Sequence, residues 1–228
     1  MAEAAFNTER ISEGVCAYCG AAASTEHFCS TCGKIKPIQS SVDYFSFFSL
    51  PRKLQLSEVE LEKSFYALSR QFHPDYFMSA SPDERQASIE RSSILNDAYR
   101  TLRNSVARAK YLLSLEGHKQ SEKKPPPDLL EEVFELNMQV DELRAAKKTG
   151  DDDEAADARS SIEIALSDLE GKLQEIDERL SALFDEWDSA FDGEETGDWK
   201  GPLLNRMSDV LSHRSYIRNL VRDIKEEL

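Results

Sequence analysis

The chain has 228 residues, of which 40% are hydrophobic and 31% charged, and its formal net charge at pH 7 is -15. This length and composition predict a folded protein of one or two domains. The longest apolar run, residues 44–50, is too short to span a bilayer, so we expect no membrane role. The first fourteen residues lack a basic segment followed by an apolar one, so we expect a cytoplasmic protein.

Nearly all of the acidic excess lies in the C-terminal half. Residues 119–228 contain 15 Lys or Arg and 29 Asp or Glu, whereas the rest of the chain is almost neutral. Such a charge repels phosphate backbones, which argues against nucleic acid as a partner. The acidic half predicts either a soluble surface or an acidic docking surface.

The N-terminal segment, residues 1–40, is too short to hold a hydrophobic core of its own. It contains all four cysteines, Cys16, Cys19, Cys29 and Cys32, as two Cys-x2-Cys pairs separated by nine residues. Each pair can present two thiolates on one side of a tight turn, and a glycine follows each pair. Two such knuckles predict a closed tetrahedral four-sulfur site, for which we expect a structural Zn2+.

Other chemistry is open to the same four cysteines. Iron in a rubredoxin-like centre uses the same tetrahedron of sulfurs, and disulfides are disfavoured in the cytoplasm. His27 lies between the two pairs and could replace one cysteine as a ligand. With four thiolates present, we expect His27 to be an ordinary loop residue.

The second segment, residues 41–118, has the pattern of several helices. Asp43 is a candidate cap for a short helix over residues 44–48, and Ser57 with Glu60 predicts a capping box. Ser81, followed by Pro82, predicts the start of a long helix. The apolar faces of the two longer helices are Leu61, Phe65, Leu68 and Phe72, then Ile94, Leu95, Ala98, Tyr99 and Leu102. A last helix over residues 105–115 is predicted to end at Gly117.

The tripeptide His73-Pro74-Asp75 lies between the two longer helices and allows three interpretations: half of a catalytic dyad, a helix stop, or a surface for another protein. A dyad needs a nucleophile within reach, and the chain has no Gly-x-Ser-x-Gly elbow, no phosphate loop and no cysteine outside the quartet. An enzyme is therefore the least favoured class. Pro74 disfavours helical geometry at His73, which predicts a helix stop.

The third segment, residues 128–228, follows a proline-rich linker over residues 119–127. Asp128 is the candidate cap of a helix that ends near Gly150, and a second helix starts near Asp152. After a break at residues 192–198, a third helix follows. The three apolar faces are Leu129, Val133, Leu136, Val140 and Leu143, then Ile162 to Trp187, then Leu204 to Ile224. The segment predicts an antiparallel three-helix bundle and, with the helical second segment, an all-α fold.

A helical hairpin with His-Pro-Asp in its connecting loop resembles the J-domain. The stretches DYFSFFSLP, FHPDYF and LNDAYRTLRNSVARAKYLLSLEG are similar to the HscB/Jac branch of J-domain co-chaperones, and the cysteine pairs are similar to an N-terminal extension of some members. The resemblance implies a J-domain hairpin, a three-helix bundle and a small zinc-knuckle segment. It also implies a non-enzymatic protein that binds an IscU-like Fe-S scaffold, delivers it to a DnaK/HscA-class chaperone and stimulates the ATPase of that chaperone.

The same resemblance implies two sets of contact residues. The chaperone contacts are His73, Pro74 and Asp75, with Asp75 meeting an arginine of the partner, plus Lys63 and Arg70 on the preceding helix. The scaffold contacts are Leu129, Leu130, Phe134, Glu135, Met138, Glu142 and Tyr216. The chain departs from the pattern at Glu131, where an apolar residue is common, and at Met138, where an acid is common. The alternative for Leu130 and Phe134 is burial in the bundle core.

Two rival functions stay open at the level of sequence. One is a generic J-protein whose bundle serves another client. The other is a redox or metal-transfer protein in which the four-cysteine site is the active part. We expect a monomer or a weak dimer.

Overall fold

The structure is a computed structural model, and it describes residues 15–22, 27–37, 42–118, 129–193 and 199–228. The chain forms two compact units, one from Met1–Arg52 with Leu56–Arg108 and the other from Lys53–Gln55 with Ala109–Leu228. Across the described ranges the regular structure is helical apart from two isolated β-bridges, which confirms the predicted all-α class. None of these helices combines the length and the apolar character that a membrane span needs. The predicted linker and the predicted cap Asp128 lie outside the described residues.

Seven α-helices are described within these ranges. They are α1 (Tyr44–Phe47), α2 (Glu58–Phe72), α3 (Pro82–Arg103), α4 (Ser105–Leu115), α5 (Leu130–Thr149), α6 (Asp152–Asp192) and α7 (Lys200–Lys225), with a 3-10 turn at Pro74–Phe77 between α2 and α3.

The helix starts follow the predicted capping signals, with one difference. Asp43 accepts a hydrogen bond from the Ser46 amide at 2.9 Å, and Ser81 forms a complete capping box with Glu84. Ser57 caps α2 by accepting from the Glu60 amide at 3.3 Å. The carboxylate of Glu60 instead pairs with the Lys63 ammonium at 2.7 Å. The predicted box at α2 is therefore only half formed, because an i,i+3 cation competes for the acid.

The first unit is built on the hairpin of α2 and α3, with α1 packed against α3. The apolar faces predicted for α2 and α3 meet between the two helices, where the half-buried rings of Phe65 and Tyr99 stack with centroids 4.3 Å apart. The buried side chains of this core include Phe45, Phe47, Leu61, Phe72, Leu95, Ala98 and Leu102.

The second unit contains the long helix α6, which packs against both α5 and α7. Gly150 ends α5 in the left-handed region at φ 77°, which allows the tight reversal into α6. The core of this bundle includes Leu136, Val140, Leu143, Leu166, Leu180, Trp187, Met207 and Leu211. The carboxylate of Asp188 accepts from the amides of Leu54 at 2.7 Å and Gln55 at 2.8 Å, which attaches the segment Lys53–Gln55 to this unit.

Candidate functional site

The tripeptide His73, Pro74 and Asp75, called the HPD loop below, begins where α2 ends. His73 adopts φ -57° and ψ 124°, an extended geometry that stops the helix, as expected for a residue before proline. Its side chain caps the 3-10 turn that follows, because the Asp75 amide donates to Nδ1 at 3.3 Å. The side chain of His73 is 52% exposed and that of Asp75 is 76% exposed. The helix stop therefore leaves an imidazole and a carboxylate open to a partner.

The residue before the loop is anchored on both its ring and its carbonyl. Phe72 is fully buried. Its carbonyl, which has no partner within α2 because the helix ends there, accepts from the Ser88 hydroxyl at 2.6 Å and from the Ser92 hydroxyl at 3.1 Å. Both serines lie on α3. The HPD loop thus starts from a fixed point in the core.

The two basic residues predicted for chaperone contact lie on the exposed part of α2. Lys63 is bound to Glu60 in the i,i+3 ion pair described above, and Arg70 is exposed in the last turn, next to the HPD loop. The helix also carries Glu58 and Glu62 in its first half. The positive charge available near the loop is therefore small.

The helix α5 carries three large apolar side chains on its outer side. Leu130, Phe134 and Met138 are 52%, 66% and 50% exposed, and they follow one another at intervals of four residues. The buried residues of α5 occupy the opposite side of the helix. We call these three residues the outer face of α5. The core alternative for Leu130 and Phe134 is thereby wrong.

The other predicted scaffold contacts occupy three kinds of place. Glu135 and Glu142 are exposed on α5 beside the outer face, and Tyr216 is half-buried on α7. Glu131, where the chain departs from the family pattern, is also exposed there. Leu129 is only 2% exposed and belongs to the bundle core. Its selection as a surface contact was wrong because successive residues of a helix point about 100° apart, so Leu129 and its neighbour Leu130 cannot share a side.

The four cysteines come together in the first unit. Gly20 and Gly33, which follow the two pairs, have φ of 73° and 69°, and these left-handed residues close the two knuckles. Each knuckle is held by a backbone bond of 2.8 Å, from Gly20 to Cys16 and from Gly33 to Cys29. The four sulfurs all lie within 4.8 Å of one another. The predicted quartet therefore forms one cluster.

The spacing of the sulfurs fits a tetrahedral metal site. Sulfurs about 2.3 Å from a central ion are about 3.8 Å apart along a tetrahedron edge. The sulfurs of Cys16 and Cys32 are 3.9 Å apart, and those of Cys19 and Cys29 are 3.7 Å apart. The backbone amides of Cys32 and Thr31 donate to the Cys29 sulfur and lower its pKa to about 6, which favours the thiolate at this position. At Cys19 the Ala21 amide acts in the same sense, but burial and the neighbouring sulfurs outweigh it and raise the pKa to about 11. All four cysteines are free thiols, which disfavours the disulfide alternative.

His27 has a different role from the one that its sequence position suggested. It lies outside the sulfur cluster and is hydrogen-bonded on both ring nitrogens: Arg91 donates to Nδ1 at 2.6 Å, and Nε2 donates to the Phe47 carbonyl at 3.0 Å. Burial and the adjacent Arg91 charge lower the pKa of His27 to about 4, so the ring is neutral near pH 7. It is a structural contact between the cysteine segment and the helices.

Sequence reasoning missed Ser88, Ser92 and Arg91, all on α3. The guanidinium of Arg91 is buried and donates to the Lys36 carbonyl at 3.0 and 2.8 Å, in addition to its bond to His27. A signal was present, since α3 carries polar residues at positions where its apolar face is otherwise continuous. Their partners lie too far along the chain to be found by pattern.

Comparison with known proteins gives the fold. No family model matches the chain. The structure is similar to that of the human co-chaperone protein HscB, with 24% sequence identity and a TM-score of 0.68 over 93% of this chain and 98% of the human one. It is also similar to the chaperone HscB from Vibrio cholerae, with 24% identity and a TM-score of 0.56 over 81% of this chain and 96% of the other. The chain therefore has the fold of these HscB proteins.

Proposed function

We propose that this chain is a non-enzymatic co-chaperone of the HscB type. It presents the HPD loop to a chaperone of the DnaK/HscA class, stimulates the ATPase of that chaperone, and carries an IscU-like scaffold of Fe-S cluster assembly on α5. One observation carries this proposal: the side chains of His73 and Asp75 are exposed directly after Phe72, a residue buried completely in the core.

The HPD loop suits a charged contact with another protein. The Asp75 side chain is largely exposed, with one carboxylate oxygen 3.5 Å from Nδ1 of His73, and an arginine of the partner can form a charge-assisted pair with this carboxylate. The bonds from the Asp75 amide to His73 and from the Tyr76 amide to the His73 carbonyl hold the loop before it meets the partner. A loop ordered in advance loses less entropy on binding. The chemistry of hydrolysis takes place in the partner.

The outer face of α5 suits an apolar patch on a partner. Contiguous apolar side chains on a protein surface are typical of interaction sites, and Phe134, as the most exposed of the three, is the natural anchor. The carboxylates of Glu131, Glu135 and Glu142 lie beside it and favour a partner with basic residues at the rim of its patch. We assign the scaffold to this surface.

Zinc is the metal that we propose for the four-cysteine cluster. The four thiolates complete a closed tetrahedron, which is typical of structural zinc, and Cys16, Cys19, Cys29 and Cys32 would hold it. The ion would stabilise a segment that has too few apolar residues to fold alone. Elemental analysis of the purified protein tests this: one equivalent of zinc supports the proposal, and redox-active iron would favour the metal-transfer rival.

Stimulation of a chaperone ATPase is the direct test of the function. Truncating one partner of a buried charged pair costs about 2 to 5 kcal/mol, so Asp75→Asn should lower the stimulation at least about 30-fold. The melting temperature should not change, because the Asp75 side chain is exposed. Asp97→Asn, which alters an aspartate in the second half of α3, is the matched control and should stimulate as wild type does. Equal stimulation by Asp75→Asn and wild type would overturn the proposal.

Capture of the scaffold tests the second half of the function. Because Phe134 is the proposed anchor, Phe134→Ala should weaken the binding of a purified IscU-like scaffold by about 2 kcal/mol, or about 30-fold in Kd. Ile164→Ala removes an equally exposed apolar side chain from α6 and should leave Kd unchanged. If the two variants bind alike, α5 is not the docking surface, and a generic J-protein with another client becomes the better hypothesis.

A further inference from the structure

The ring of Phe72 is covered in part by His27 and Phe28, the two residues just before the second cysteine pair. The rings of Phe72 and His27 meet edge to face with centroids 4.8 Å apart, and Phe28 stacks on Phe72 at 5.9 Å. Phe47 of α1 contacts the same ring at 6.1 Å. Residues 15–22 and 27–37, called the four-cysteine module here, therefore supply part of the pocket that buries the residue before the HPD loop.

One face of α3 holds both the module and the end of α2. The hydroxyls of Ser88 and Ser92 donate to the Phe72 carbonyl. Arg91 lies one turn after Ser88 on the same face and donates to His27 and to the Lys36 carbonyl. The guanidinium carbon of Arg91 also lies 5.7 Å from the centroid of the Phe72 ring. The carbonyl and the ring of Phe72 are thus fixed by adjacent residues, and the ring depends on the module.

A second link joins the module to α3 without touching Phe72. Lys34 pairs with Glu84 at 3.4 Å, and its ammonium lies 4.7 Å from the centroid of the Tyr18 ring. Glu84 lies in the first turn of α3, whereas Arg91 lies near the middle of that helix. The two links allow attachment of the module to be separated from support of Phe72.

We propose that the four-cysteine module positions the HPD loop, acting through His27 and Phe28 on Phe72. This inference deepens the proposed function, on which it rests for the meaning of the loop. His27 and Phe28 are positioning residues, since neither lies in the loop. When the module is folded, its contacts with the Phe72 ring hold the end of α2 in place. The backbone of His73, the next residue, then has one fixed orientation. Folding of so small a module depends on its metal, so metal loading and the order of the loop are linked.

Hydrogen exchange at the loop tests the inference without any chaperone. The amides of Asp75 and Tyr76, which donate to the side chain and the carbonyl of His73, are followed by NMR in the zinc-loaded full chain. We expect exchange at least about fivefold faster in His27→Ala, and again in wild type after zinc is removed with a chelator. Amides in the second half of α3 serve as the internal reference and should change little.

Lys34→Ala is the matched control. It breaks the other link between the module and α3, so it should leave loop exchange within about twofold of wild type. If His27→Ala accelerates the reference amides equally, Phe28→Ala replaces it, because that variant keeps both hydrogen bonds of His27. Unchanged loop exchange in the substituted and zinc-free proteins, or equal acceleration by Lys34→Ala, would overturn the inference.

The two proposals fail in different ways. If Asp75→Asn does not lower ATPase stimulation, the proposed function is lost, while the exchange data still decide whether the module positions the loop. If Asp75→Asn abolishes stimulation and His27→Ala leaves both the loop exchange and the stimulation intact, the function stands and the positioning role is wrong. Support requires that His27→Ala accelerate exchange at the loop about fivefold or more while Lys34→Ala does not.

Discussion

The HPD loop and the outer face of α5 are both exposed, but the protein holds them in different ways. The loop is polar and lies where a helix stops, and its position depends on Phe72, whose ring and carbonyl have partners from three other segments. The face of α5 is apolar and lies on an unbroken helix, and its position depends only on burial of the opposite side. A loop surface therefore needs specific anchors, whereas a helical surface is fixed by the core beneath it.

The sharpest way to test this contrast is to truncate the two sides of α5 in turn. Leu143→Ala, at a buried position, should lower the free energy of unfolding of the second unit by about 3 kcal/mol. Phe134→Ala, on the outer face, should change it by less than about 0.5 kcal/mol. Both tryptophans, Trp187 and Trp199, lie in this unit, so urea unfolding followed by fluorescence reports on it. A large loss of stability in Phe134→Ala would mean that the face is covered.

The anchors of the loop predict a smaller effect in the first unit. Ser88→Ala removes the shorter of the two hydroxyl bonds to the Phe72 carbonyl, and the loss should be about 1 to 2 kcal/mol because Ser92 can still donate. Calorimetry of the first unit measures it. Ser93→Ala, on the exposed side of α3, is the control. Equal melting temperatures for Ser88→Ala and Ser93→Ala would show that the carbonyl needs no anchor.

The smallest expected effect is a dependence on pH at the start of α3. Burial opposes ionisation of Glu84, but hydrogen bonds from Ser81 and the charge of Lys34 outweigh it and hold the pKa of Glu84 below 4.5. A carboxylate with a lowered pKa adds stability above its unfolded value of 4.5 and loses it as the pH falls through the folded value. Between pH 7 and about pH 3, wild type should therefore lose more thermal stability than Glu84→Gln. Parallel declines would contradict this.

The sequence was sufficient for several features whose residues are close along the chain, although the capping box predicted at Ser57 and Glu60 is only half formed. Ser81 and Glu84 are three residues apart, and Gly150 ends α5 by its own backbone geometry, so both features could be predicted. The cysteine quartet could be predicted because two short motifs define it. In each case local geometry alone determines the structure.

The contacts that the sequence did not reveal join distant residues. Arg91 and His27 are 64 residues apart, and Ser88 and the Phe72 carbonyl are 16 apart across the hairpin. Neither pair leaves a periodic pattern. Helix α5 is difficult for a different reason, because it has two apolar stripes. From the sequence, Leu129 fits both the buried stripe and the outer face. Only the packing against α6 shows which stripe is buried.

The two apolar stripes of α5 also restrict how the length of this helix can change. One residue inserted between Met138 and Val140 would turn the first half of the helix by about 100° relative to the second half. Leu130 and Phe134 would then leave the line of the outer face, and Leu136 would leave the line of the core. An insertion of four residues, close to a whole helical turn, would nearly restore both lines. Changes in the length of α5 are therefore compatible with both surfaces only in steps of about one turn.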